Sequence, residues 1–159
     1  MERFMELFHN IPLIAGMIGW FGAEIVKIVI NCIRGRTVKY ITWKGLFASG
    51  GMPSSHAASM CALSAAIAFA PNGGGFGSPA FAVSVLVSAI VMYDASGVRK
   101  EAGEQAKALN LIMRDVFSSN PEYSNRAFKE LIGHTKAQVF VGAVFGIAVG
   151  VLCGLFLPL

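Results

Sequence analysis

Four apolar runs alternate with polar stretches along the chain, at about 11–33, 55–70, 79–93 and 137–157. The first and last are long enough to cross a bilayer, which takes about 20 apolar residues. The middle two are shorter, so their polar flanks must lie at or just inside the interface to complete a crossing. The connections differ sharply. Arg34, Arg36, Lys39 and Lys44 lie between the first two runs, with no acid among them. The next connection, "PNGGGFGSP", carries no charge and reads as a tight turn. The third holds seven Lys or Arg and six Asp or Glu, and its first part, "GVRKEAGEQAKALNLIMRDVF", repeats as an amphipathic helix lying near the membrane surface. The pattern predicts an all-α integral membrane bundle of about four transmembrane helices, plus a cytoplasmic surface helix at about 98–117. Residues 1–159 read as a single membrane domain.

Composition agrees with that pattern. The chain is 55% hydrophobic and 14% charged, with a mean hydropathy of +0.61. Soluble domains average about 25% charged residues, so lipid rather than water is the expected solvent. The net charge of +4 is read as cytoplasmic loop bias and not as a nucleic-acid footprint. The first ten residues, "MERFMELFHN", lack the short basic start of a cleavable signal, so the first span is expected to be retained. Cys32, Cys61 and Cys153 lie in separate apolar runs, without metal-ligand spacing, and are expected to be buried as small hydrophobes.

Charge asymmetry sets an orientation. Positive-inside bias places 34–54 and 94–136 on the cytoplasmic side, and the N-terminus, the 71–79 turn and the C-terminus outside. His56 at the start of the second span, Asp94 and Arg99 at the end of the third, and His134 at the start of the fourth then share one face. Three distant polar clusters are expected to converge there. The fourth span also carries Gly142, Gly146, Gly150 and Gly154, one every fourth residue. On a helix these make a smooth stripe that lets another backbone approach, either within the bundle or across a homodimer.

Chemistry concentrates in "GGMPSSHAAS", residues 50–59. Pro53 suits a first helical turn, and Ser54 and Ser55 place hydroxyls beside the free N–H groups of that turn, an arrangement that binds anions. Gly50 and Gly51 permit close approach of the backbone to a ligand. His56 can donate a proton to whatever those groups hold. The same residues also fit an ordinary capped helix with an interfacial histidine. His134, in "GHTKAQVFVGAVFG", adds a second imidazole at the same level. One ring can attack phosphorus while the other protonates the leaving oxygen, with basic residues neutralising phosphoryl oxygens. Glu24 and Lys27, three residues apart in the first span, are read as a bundle-facing pair.

"MPSSHAA" followed by "GHTKAQVFVGAVFG" resembles the type 2 phosphatidic acid phosphatase and vanadium haloperoxidase superfamily, most closely its small divergent membrane branch. The resemblance covers roughly residues 44–150. It implies a metal- and cofactor-independent phosphoric monoester hydrolase acting on a membrane lipid phosphate, such as phosphatidate or an isoprenyl phosphate. It further implies His134 as nucleophile, His56 as acid, and Ser54 and Ser55 at the phosphate. The match is incomplete at three places. Gln138 stands where the superfamily has the aspartate that orients the nucleophile, leaving Gln138 or Asp94 for that role. Phe128 replaces the expected arginine, with Arg99 the preferred substitute and Arg126 and Lys129 its rivals. The upstream Lys-Arg-Pro motif is absent, with Lys44 preferred over Lys39 in its place. Two other readings stay open: non-hydrolytic binding or transport of a lipid phosphate on the same frame, and a purely structural bundle.

Overall fold

Every long membrane helix begins on a side chain that caps it. Asn10 accepts from the Leu13 N–H at 3.1 Å and starts α1 (Ile11–Ile33), with Pro12 in its first turn. Ser54 accepts from Ala57 N–H and starts α2 (Ser55–Phe69). Ser78 accepts from Phe81 N–H at 3.1 Å and starts α3 (Pro79–Ser96). After a turn at Gly97 the chain continues as α4 (Val98–Val116), and Thr135 starts α5 (Lys136–Phe156) through a reciprocal capping box with Gln138. Such caps satisfy N–H groups that an apolar solvent cannot. Two short turns of helix, Glu2–Met5 and Glu6–His9, precede α1 and were not legible from the apolar pattern. The computed structural model describes residues 2–34, 51–70, 74–116, 128 and 133–157.

The architecture is an all-α membrane bundle. Helices α1 and α5, and α3 with its continuation α4, are long and apolar enough to cross a membrane. Helix α2 has only 15 residues. At about 1.5 Å per residue it spans roughly three-quarters of a 30 Å hydrocarbon core. It is nevertheless central, packing against α1, α3 and α5. Its sequence suits that position, since Ala57, Ala58, Ala62 and Ala66 are wholly buried.

Small residues let the neighbours come close. Gly142, Gly146 and Gly150 of α5 are buried against the backbone of Ser54, Ala58 and Ala62, and Gly154 against Ala66 and Phe69. The glycine stripe is therefore packed inside the chain, against α2. Van der Waals contact of this kind drives helix association where lipid competes for every apolar surface. A hydroxyl seam joins α3 to α2: Ser64 and Ser88 lie 3.0 Å apart, and Ser88 donates towards the Ser84 and Met60 carbonyls. The outer faces carry Val83, Leu86, Ile90, Phe140 and Val144, as lipid contact requires. Cys61 and Cys153 are buried, but Cys32 is exposed near the end of α1, contrary to the expectation for it.

Candidate functional site

Two backbone hydrogen bonds fasten three distant segments together at the N-terminal end of α2. The Ser54 N–H donates to the Gln138 carbonyl at 3.0 Å, tying the start of α2 to the first turn of α5. The His134 N–H donates to the Ala95 carbonyl, also at 3.0 Å, tying the residue before that turn to the end of α3. Gly133 sits so close to the Lys100 backbone that a Cβ there would lie 2.6 Å from its nitrogen. Ala57, Ala95 and Val139 form an apolar floor beneath this junction. The sequence's convergence of His56, His134 and the end of the third span is thus reproduced.

The two imidazoles face each other edge to face, with ring centroids 6.1 Å apart. They differ in surroundings. His56 is exposed, whereas His134 is 2% exposed, and neither of its ring nitrogens has a hydrogen-bond partner among the described residues. Burial, and after it the positive charges of Lys27, His56 and Arg99, push the His134 imidazole down to about 4 from an ordinary 6.5. Near neutral pH the ring is therefore uncharged, with a free lone pair on one nitrogen. A buried polar group without a partner is costly and uncommon in a native fold, and such groups concentrate where a ligand or a reaction supplies the partner.

The other site candidates take varied places. Pro53 precedes the cap and does not occupy the first turn of α2, because Ser54 itself is the cap. Ser54 is fully buried; its N–H goes to Gln138 and its hydroxyl oxygen accepts from Ala57 at 3.4 Å, so it serves the helix start. Ser55 is buried in the first turn, one residue before His56. The Gln138 side-chain carbonyl accepts from the Thr135 N–H at 2.9 Å, a cap contact, and does not hold the His134 ring. Asp94 accepts from Arg99 Nε at 2.8 Å, so its carboxylate holds the arginine and not the imidazole. The Arg99 charge is among those that act on His134. Lys39, Lys44, Gly50, Arg126 and Lys129 lie outside the described residues.

Lys27 and Glu24 belong to this neighbourhood, which sequence reasoning missed. They form a buried ion pair, Nζ to Oε1 2.8 Å, and both charges act on His134. The signal was present: ionisable residues inside an apolar span mark functional sites by default. Among the described residues no cluster of three or more His, Cys, Asp or Glu could hold a metal ion.

The fold and site define an all-α membrane bundle that gathers two histidines and basic residues at one end. The sequence profile of the Divergent PAP2 family matches residues 8–149, so the chain belongs to that family. It is also 34% identical to the "Uncharacterized membrane protein YuiD" of Bacillus subtilis (strain 168), across 96% of this chain and 99% of that one. No solved structure gives a significant match.

Proposed function

We propose that the protein is a membrane lipid-phosphate phosphatase working through a phosphohistidine. The observation that carries this reading is His134, buried, without a hydrogen-bond partner for its ring among the described residues, its ring centroid 6.1 Å from that of His56. In the first step a lone pair on the His134 imidazole attacks phosphorus and the phosphorus–oxygen bond to the lipid breaks. Protonated His56 gives its proton to the departing oxygen, so an alcohol leaves. Water then attacks the phosphorus of phospho-His134 while neutral His56 takes a proton from it. Inorganic phosphate leaves and His134 is restored. Arg99, held by Asp94, neutralises phosphoryl oxygens as charge develops on them. Ser55 and the start of α2 lie beside them, and Lys44 is a further cation for that role. The site faces the cytoplasm in this reading, so the substrate is a phosphomonoester lipid of the inner leaflet.

A second reading is favoured by one specific contact. Gln138 is committed to its cap, and among the described residues no carboxylate bonds the His134 ring to stabilise an imidazolium as it forms. On that ground a protein that binds or moves a lipid phosphate without hydrolysing it would use the same site. Phosphate release from purified protein in detergent, over a panel of lipid phosphates with chelator present, separates the two. Release by wild type that disappears in His56→Ala and His134→Ala supports the phosphatase. Binding of the lipid phosphates with no release by any form supports the carrier.

A further inference from the structure

A groove runs along α2 from near its histidine end to its far end. Its floor is Cys61, Ser64, Ala65 and Ala68 of α2, and its walls are α3 and Ile147 of α5. It exists because α3 rests on α2 and touches α5 only lightly, which leaves a gap between the two walls. The groove encloses about 340 Å³. Its near mouth adjoins the two-histidine site. Cys61 lies five residues beyond His56 on α2, about 7.5 Å along the axis. Cys61 Sγ meets Met92 Sδ at 4.0 Å, and Met92 packs against the apolar floor of Ala57, Ala95 and Val139.

The far end is closed by aromatic rings. Phe76 packs edge to face on Phe69, with centroids 5.5 Å apart, and on Phe81, with centroids 5.3 Å apart, and all three line the groove. Between the two ends, the serines that line it have already spent their donors. Ser64 donates to the Met60 carbonyl at 2.9 Å and Ser88 to the Ser84 carbonyl at 2.7 Å. A hydroxyl has one donor, so what these walls offer an occupant is essentially hydrocarbon. That surface fits an alkyl or prenyl chain and not a headgroup.

We propose that this groove seats one apolar chain of a phosphate ester held at His56 and His134, and that Phe69, Phe76 and Phe81 form the stop that sets its preferred length. This rests on the reading that the two-histidine site takes a lipid phosphate, and it adds selectivity for the chain to recognition of the phosphate. From Cys61 to Phe69 α2 rises about 12 Å, at about 1.5 Å per residue. An extended chain advances about 1.2 Å per bond, so about ten carbons reach the stop. In lipid an apolar chain gains nothing by leaving water, and close packing is what a groove can select on. A chain that fills the groove makes that contact throughout. A shorter one leaves part of it empty, and a longer one meets the rings.

The test uses the full chain in detergent micelles, captured on beads, and counts bound radiolabelled n-alkyl phosphates from butyl to hexadecyl. Inorganic phosphate is the chainless reference. Wild type, Phe76→Ala and Val85→Phe are compared at one detergent concentration, so partitioning of each ester into micelles cancels between them. Both positions are exposed, and both variants are expected to keep their helical content. Wild-type affinity should climb with chain length and break near the length that reaches the rings. Val85→Phe puts a ring in the groove about 6 Å short of Phe81, and should move the break about five carbons shorter. Phe76→Ala opens the stop and should move the break to longer chains. Inorganic phosphate should bind all three alike. Folded variants that keep the wild-type profile, or affinity that never depends on the chain, overturn the groove and leave the phosphate site standing. Should Val85→Phe fail to fold, Phe76→Ala decides, and an unmoved break there overturns the stop. Wild type that binds neither inorganic phosphate nor any ester overturns the site reading and this proposal with it.

Discussion

Ser54 and His134 are both buried polar residues next to a helix start, and they differ in what their polar atoms meet. Ser54 is satisfied by Gln138 and Ala57, while the His134 ring nitrogens meet no protein group among the described residues. The difference has a measurable consequence. An unfolded histidine takes its proton near 6.5, but the folded His134 takes it only near 4. Between those values the unfolded chain binds more protons, so the contribution to stability is complete above about 6.5 and declines as pH falls towards 4. The melting temperature in detergent should therefore drop from pH 7 to 4.5, and drop less steeply in His134→Asn. An equal slope in the variant would mean that other groups set the acid limb. The sequence signalled the two histidines because of their rarity in apolar runs. It could not signal the roles of Ser54 and Gln138, since the competition between capping a helix and holding a ligand is settled by partners distant in the chain.

The helices were the most legible elements, because runs of apolar residues that must satisfy their own backbone in lipid have little alternative. Expected spans at 11–33 and 137–157 correspond to Ile11–Ile33 and Lys136–Phe156, and the surface helix at about 98–117 to Val98–Val116. The third span runs three residues further than its apolar stretch, to Ser96, because a helix ends on backbone geometry and not on hydropathy. What the pattern left open was the partner of the glycine stripe, since a smooth face fits a neighbouring helix or a second subunit equally well. The structure seats it on α2, with the Ala58 backbone directly over Gly146. Gly146→Leu should then damage the fold of the single chain, not merely an assembly. Overpacking of a tight contact costs about 1–3 kcal/mol or more. Gly77→Ala is the control, since nothing lies within 4 Å of a Cβ there. Thermal unfolding in detergent of both variants checks it, and equal melting temperatures would contradict the close packing of α2 and α5.

At the scale of the whole molecule, the role of the two-histidine site depends on which side of the membrane it faces. His56 lies in the first turn of the 15-residue α2, so on the proposed reading a lipid phosphate approaches at that end of the bundle. Four basic residues in the 34–50 stretch argue for the cytoplasmic side, since positive loops are retained there. The turn containing Gly77 and the start of α4 at Lys100 lie at opposite ends of α3. Single cysteines at these two positions, in a form with Cys32, Cys61 and Cys153 replaced, therefore report orientation directly. In intact cells a membrane-impermeant maleimide should label Gly77→Cys, and should reach Lys100→Cys only after permeabilisation. The reverse result would place the histidines outside. It would move the proposed substrate to the outer leaflet while leaving the roles proposed for His134 and His56 unchanged, because those roles rest on their geometry and not on the compartment.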